Sequence, residues 1–374
     1  MGLQRVIVVL ILLFIFLVGV KGLGDAFKLL GRDFVDSFFR ATENPFVGLM
    51  VGILATTMVQ SSSVTTAMIV GLVAAPEDPL PLLNAVPMIM GANIGTTVTN
   101  TVVSLAHIGR RDEFVRAFST ATCHDLFNFI TVLVLLPLEL ATGFLRRTAS
   151  LIASHLGTGA SGIDYESPIK HAIGLALDPI KRAVEALITV QWIQGLALIA
   201  VSVGFIYAAL MLIVRVMRSA MQTRVENFVT WALGTHVLFS LMLGAVATVM
   251  VQSSSITTSL LVPLAGAGVI TVREAFPITV GANIGTTVTA LLASLAASGP
   301  HAQAGLTIAL VHLLFNLTGT VLIVPLNRTR RLPVEGARWF AERAAASRRW
   351  ALLYVIVIFY LVPAVLALGN RLLE

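Results

Sequence analysis

Charge is what this chain has least of. Of its 374 residues only 12% are Asp, Glu, Lys or Arg, against 57% that are hydrophobic, and the mean hydropathy is +0.91. So little charge excludes an ordinary water-facing surface and points to a chain solvated by lipid. Cysteine occurs once, as Cys123, which excludes an intrachain disulfide and any multi-cysteine metal site. The seven histidines show no H-x-x-x-H or similar spacing, so a histidine-held metal has no support. A G-x-x-x-x-G-K-[ST] loop is missing, which argues against a primary pump, and so is the G-x-S-x-G nucleophile elbow of many serine hydrolases. The net charge of +6 marks cytoplasmic loops by the positions of its basic residues and does not suggest nucleic-acid binding.

Apolar runs long enough to approach a bilayer crossing lie at Val6 to Val20, Ser119 to Leu138, Trp192 to Val214, Leu306 to Leu326 and Trp350 to Leu368. The opening MGLQRVIVVLILLFIFLVG has the basic start and apolar core of a signal peptide, but no clean small-x-small cleavage signal follows, and the segment is expected to be retained. The class is an all-α polytopic membrane protein.

The chain is also written twice. Gln60 pairs with Gln252, Pro87 with Pro277, Gly91 with Gly281, His124 with His312, Asn128 with Asn316 and Pro137 with Pro325, at offsets that drift only from 192 to 188 residues. The expected organisation is a first repeat over 1–150, an external loop and amphipathic segment over 151–190, a second repeat over 191–340 and a C-terminal transmembrane helix over 341–374. Equivalent loops differ in charge: GRRDEFVR at 109–116 is basic, whereas ASGPHAQAG at 297–305 is uncharged. By the positive-inside rule the two loops lie on opposite sides, so the repeats are expected to be of inverted topology, with the N-terminus cytoplasmic. Basic stretches at 215–224 and 328–349 fit the cytoplasm in that arrangement, while Arg146 and Arg147 resist it.

Polar residues concentrate in two duplicated stretches, QSSSVTT (60–66) with QSSSITT (252–258), and GANIGTTVT at 91–99 and again at 281–289. The apolar arms around the first QSSS have about 15 and 12 residues, too few to span ~30 Å at ~1.5 Å per residue. Each QSSS therefore reads as the tip of a re-entrant helical hairpin, and the glycines at 91, 95, 281 and 285 as breaks that make a discontinuous transmembrane helix. Helix ends at such breaks offer N–H groups to an anion, and the hydroxyls of Ser61, Ser62, Ser63, Ser253, Ser254 and Ser255 add donors. Freed carbonyls, Gln60, Gln252, Asn93, Asn283 and the threonines 96, 97, 99, 286, 287 and 289 are hard oxygen ligands for a small cation. With no Arg or Lys in these stretches, an anion's charge would need co-bound cations, which is the physical basis of coupled transport. The rival is that Ser, Thr and Gly only let helices pack closely; their repetition together with Gln and Asn favours a transport site. Asp125, the only acid in ATCHDLFNFITVLVLLP, is a further candidate; His124 and His312 read as interhelical hydrogen bonders.

Together the paired QSSS motifs, AVPMIMGANIGTTVTNTVVSL, RAFSTATCHDLFNFITVLVLLPLELATGFL, AFPITVGANIGTTVTALLASL and RRWALLYVIVIFYLVPAVL strongly resemble the type II sodium-dependent phosphate cotransporters, over about residues 45 to 368. The resemblance implies sodium-driven symport of inorganic phosphate, mainly the divalent form, by alternating access. Carried over by position, it implies a phosphate site at serines 61 to 63 and 253 to 255, with Asn93 and Asn283 alongside. It implies a sodium site at Gln252, Ser253, Thr286 and Thr289, and a related pocket at Gln60, Asn93 and Thr96. In the family an aspartate in the H-D-x-F-N position marks the electrogenic branch, and Asp125 stands there; Leu313 holds the matching place in the second half. The family's animal members carry a long disulfide-bearing loop between the halves and a further C-terminal helix with a regulatory tail, and this sequence shows neither, which implies a bacterial-type protein of the inner cell membrane. Sodium would be a co-substrate, with no resident cofactor and no nucleic-acid partner. The rival readings are the same architecture with another oxyanion or a small dicarboxylate and, more remotely, a membrane-embedded serine hydrolase using a QSSS serine with His124 and Asp125. The hydrolase is weak because adjacent His and Asp on a helix point in different directions.

Overall fold

The computed structural model describes residues 3–30, 39–157, 168–231, 236–297 and 300–373, and every regular element among them is helical. Among the described residues six helices are long and apolar enough to cross a membrane: Gln4–Ala26, Arg111–Thr142, Gln191–Ile213, Val272–Ser294, Ala302–Ile323 and Arg349–Ala367. Five of them contain or closely overlap the spans expected from hydropathy. The large apolar side chains they leave outside, among them Leu10 (60% exposed), Leu133 (74%) and Val321 (69%), would each be unfavourable in water and suit acyl chains. This is a multi-pass membrane chain.

In order, α1 (Leu3–Leu29) is followed by two short helices, α2 (Pro45–Val59) and α3 (Ser62–Val73). The start of α2 is set by Asn44, whose Oδ1 accepts from the N–H of Phe46 (3.0 Å) and Val47 (3.4 Å), with Pro45 at the first helical position. Next come α4 (Leu82–Thr96), α5 (Val98–Ser104), the 32-residue α6 (Arg111–Thr142) and the amphipathic helices α7 (Phe144–Gly157) and α8 (Pro168–Leu187). The second half runs through α9 (Gln191–Trp231), the short pair α10 (Val237–Val251) and α11 (Ser254–Gly266), then α12 (Val272–Ser294) and α13 (Ala302–Ile323). A capping box between Thr271 and Glu274 starts α12. The chain closes with amphipathic α14 (Asn327–Ala346), α15 (Arg348–Ile356), a π-turn over Val357–Leu361 and α16 (Val362–Leu373). Part of the loop expected between the halves, residues 158–167, and part of the uncharged loop, residues 298–299, lie outside the described residues. So do the side chains of most of the 215–224 basic stretch.

Both duplicated stretches pack in parallel ways. In the first half α2 lies on α4, and in the second α10 lies on α12. Across the halves, α3 packs on α12 while α11 packs on α5 and α6, and α7 packs on α13 while α14 packs on α6. The Arg116 guanidinium on α6 donates to the carbonyls of Ala265 (Nε, 3.2 Å) and Gly266 (Nη2, 2.7 Å), capping the C-terminus of α11 from the other half.

The expected breaks at the glycines are corrected here, and the helix is interrupted only in the first half. The second GANIGTTVT lies wholly inside α12, a continuous helix of 23 residues, and the first is interrupted only at Thr97, whose N–H bonds to Ile94 O (3.2 Å) in a tighter turn that stays right-handed. Neither copy unwinds at its glycines, because their missing side chains are used for close approach. A methyl group on Gly91 would stand 2.0 Å from Leu49 O, one on Gly281 1.9 Å from Leu241 O, and those on Gly52 and Gly244 2.1 and 2.0 Å from Met88 O and Ile278 O. Small residues on both helices let the two backbones touch, which is how membrane helices associate without a hydrophobic driving force. The carbonyls expected to be freed at these glycines are consequently inside helices.

Arg146, which resists the charge rule, sits where a helix start needs an acid. Glu139 Oε2, buried at the end of α6, accepts from the N–H of Leu145 (2.6 Å) and Arg146 (3.4 Å), and Arg146 Nε lies 3.9 Å from its other oxygen.

Candidate ion-binding site

Each QSSS is a two-residue joint between short helices, and the two joints have nearly the same geometry. Gln60 ends α2 at φ 57°, ψ 27° and Gln252 ends α10 at φ 57°, ψ 29°, both left-handed. Ser61 (φ −152°) and Ser253 (φ −155°) follow in extended conformation and cap the next helix, their hydroxyls accepting from Val64 N–H and Ile256 N–H at 3.4 Å each. A glutamine held at positive φ, without the freedom of glycine, is uncommon, and here it occurs at both equivalent places. Ser62 and Ser63, with Ser254 and Ser255, occupy the first turns of α3 and α11, where backbone N–H groups have no intrahelical acceptor. Each joint thus sets a helix C-terminus, whose last carbonyls have no intrahelical donor, two residues from a helix N-terminus whose first N–H groups have no intrahelical acceptor. One end favours a cation and the other an anion.

The glutamines tie each joint to its GANIGTTVT helix. Gln60 Oε1 accepts from Thr99 Oγ1 at 3.1 Å, and Gln252 Oε1 from Thr289 Oγ1 at 3.4 Å; the amide nitrogens turn back to Thr57 O (2.5 Å) and Val249 O (2.7 Å). Gln252 thus meets Thr289, whereas the threonine that meets Gln60 is Thr99 and not Thr96. Thr96 and Thr286 are buried and donate to Ala92 O (2.8 Å) and Ala282 O (3.1 Å), each one turn back on its own helix.

Asn93 and Asn283 belong to a buried amide network that joins four helices from both halves. Asn283 Nδ2 donates to Asn128 Oδ1 (2.9 Å) and Asn316 Oδ1 (2.7 Å), Asn316 Nδ2 donates to Asn93 Oδ1 (3.1 Å), and Asn128 Nδ2 donates to Asn93 O (2.8 Å). His312 Nε2 lies 3.3 Å from Asn93 Oδ1, in keeping with an interhelical role. Both donors of Asn283 are occupied, and Asn93 spends its own on Ile89 O (2.9 Å).

Asp125 is fully buried on α6. Its Oδ2 accepts from Tyr354 Oη (2.7 Å) on α15 and from Thr101 Oγ1 (3.3 Å) on α5. Its Oδ1 accepts no hydrogen bond, since the hydroxyl of nearby Thr97 donates to Ile94 O (2.8 Å).

Two sets of contacts were not read from the sequence. Asn100 Oδ1 accepts from Thr258 (2.9 Å) and Ser259 (3.2 Å) of α11, joining the first GANIGTTVT helix to the second QSSS arm; the signal available was its place directly after TTVT, where the second copy has Ala290. Tyr354 of α15 and Tyr360 of the π-turn reach Asp125 and Gln60, and nothing in their spacing announces it.

Residues 15–163 and 205–332 match the profile of a family described as Na+/Pi-cotransporter. The chain is 35% identical to sodium-dependent phosphate transport protein 2A of Rattus norvegicus, covering 94% of this chain and 65% of that protein. It is 33% identical to protein 2B of Homo sapiens, covering 97% of this chain and 64% of that one. It therefore spans less than two thirds of the length of either relative. No solved structure matches the chain. The matched segments contain both QSSS joints, both GANIGTTVT helices and Asp125, and with that coverage the chain belongs to the Na+/Pi-cotransporter family.

Proposed function

We propose that this chain is a secondary transporter that couples the entry of inorganic phosphate, as HPO4 2−, to sodium ions moving down their gradient. The observation that carries the reading is the pair of QSSS joints: two left-handed glutamines, each followed by a serine-capped helix N-terminus, each arm packed against the other half. Phosphate is assigned to the N–H groups and hydroxyls at serines 61 to 63 and 253 to 255. Sodium is assigned to Gln252, Ser253, Thr286 and Thr289, to Gln60 and Thr96 with Thr99, and to Asp125. Asn93 and Asn283 act in this reading mainly by holding the helices of the two halves in register beside the phosphate site.

The halves are read as inverted repeats with re-entrant QSSS hairpins, in a cell (inner) membrane with the N-terminus cytoplasmic. Support comes from the reciprocal packing of α3 on α12 and α11 on α5, and from the basic 109–116 loop against its uncharged counterpart. The repeats are read as 1–150 and 191–340, with 151–190 between them and the C-terminal helical run over 341–374. Because the phosphate carries two charges, only a third sodium makes the cycle electrogenic, and Asp125 Oδ1 is the free carboxylate oxygen that can hold it. The names of both relatives denote sodium-dependent phosphate transport, which agrees.

Uptake into proteoliposomes tests this. Labelled phosphate should accumulate only under an inward sodium gradient, with excess sulfate failing to compete; accumulation driven equally well by potassium or protons would sink the sodium assignment.

A further inference from the structure

The last helical run lies beyond both duplicated stretches, yet its two tyrosines end on groups assigned above to cations. Tyr354 Oη donates to Asp125 Oδ2 at 2.7 Å, the shorter of that oxygen's two hydrogen bonds. Six residues on, Tyr360 Oη lies 3.5 Å from Gln60 Nε2 and donates to Thr57 O at 3.4 Å, while Phe359 O accepts from Thr57 Oγ1 at 3.4 Å. The chain has only four tyrosines, and two of them are spent here. Beyond Tyr354 the helix widens into the π-turn Val357–Leu361, which contains Tyr360 and is a local defect of a kind that tends to mark functional places. The Tyr354 ring is held by Phe340 (4.7 Å between centroids), Phe359 (5.8 Å) and Phe118 (6.3 Å), so its hydroxyl has little freedom to leave the carboxylate.

We infer that Tyr354 and Tyr360 are positioning residues through which the terminal helix holds Asp125 and the first QSSS joint together. Tyr354 occupies Oδ2 and so turns Oδ1, which accepts no hydrogen bond, toward a cation. Tyr360 and the Phe359 carbonyl fix the last turn of α2, and with it Gln60. One continuous helix carries both contacts, so a cation at Asp125 and a rearrangement of the joint are linked, and each biases the other. The inference rests on the sodium-coupled reading and adds to it an element outside the duplicated site.

Phenylalanine variants remove each hydroxyl and keep each ring. In proteoliposomes, Tyr354→Phe is expected to raise the sodium concentration for half-maximal phosphate uptake by about fivefold or more, since a hydrogen bond to a charged group is lost. The phosphate half-saturation at saturating sodium should move by less than about twofold, which separates ligand positioning from general damage. Tyr360→Phe should shift sodium dependence in the same direction, and the double variant by less than the product of the two, as expected for one coupled unit. Tyr207→Phe on α9 is the control and should leave both constants unchanged. A Tyr354→Phe protein with wild-type sodium dependence, or with equal losses for sodium and phosphate, overturns the inference. Should the wild-type protein fail to accumulate phosphate on a sodium gradient, the transport reading falls, and thermal unfolding in detergent with sodium or choline still decides the tyrosines. A sodium-induced rise in Tm that Tyr354→Phe loses supports them; no rise in wild type, or an equal rise in both, overturns them.

Discussion

Asp125 has one oxygen satisfied by Tyr354 and Thr101 and one that accepts nothing, at full burial. A buried carboxylate oxygen without a donor is unfavourable unless a ligand or cation completes it. Asp125→Asn keeps the shape and removes the charge; Asp125→Gly removes both and adds about 1 kcal/mol of helix cost. Both variants should retain some sodium-dependent phosphate uptake while net charge movement per phosphate falls to near zero, measured with a potential-sensitive dye. Unchanged charge movement would remove Asp125 from the cation pathway. The sequence marks Asp125 as the lone acid of an apolar run, but it does not mark Tyr354, which lies 229 residues away and differs in no local feature from a lipid-facing aromatic.

At the scale of the element, glycine in GANIGTTVT can mean a weakened helix or a close neighbour, and composition alone supports both. The neighbour decides it: Gly91 and Gly281 each face a backbone carbonyl on the partner helix at a distance no side chain tolerates. Gly281→Ala should therefore lower Tm by the equivalent of about 1–3 kcal/mol or more, as overpacking does. Gly204→Ala on α9, where an added methyl group meets nothing within 4 Å, should leave Tm unchanged or raised, since alanine favours the helix by about 1 kcal/mol. Equal effects at the two positions would argue against backbone contact as the reason for the glycines. The QSSS joints were legible for a different reason. Their flanking helices are too short to cross a membrane, and a serine after a helix end caps the next one whatever lies around it.

For the whole molecule, the two halves are held together at a polar centre. Asn283 donates to one amide from each half, and Asn316 passes the chain on to Asn93. Asn283→Ala leaves the oxygens of Asn128 and Asn316 without that donor, at a cost of about 1–3 kcal/mol for each that stays unpaired. The expected result is a clear fall in Tm, and the double variant Asn128→Ala with Asn283→Ala should cost less than the sum of the single changes. Additive losses would show that the four amides do not act as one network. Asn93 and Asn283 were legible as polar groups in a duplicated motif; that Asn283 would donate to Asn128 and Asn316, and Asn93 Oδ1 accept from Asn316, was not.

Periodicity, apolar run length and repeated motifs are properties of the chain read along its length, so the sequence by itself determined the helical membrane class, the paired QSSS and GANIGTTVT stretches and the helix joints at Gln60 and Gln252. Which face of a glycine meets a carbonyl, which threonine meets Gln60 and which tyrosine meets Asp125 depend on helices brought side by side from hundreds of residues apart. Those contacts were decided only by tertiary packing, because a side chain's partner is set by distance in space and leaves no period in the sequence.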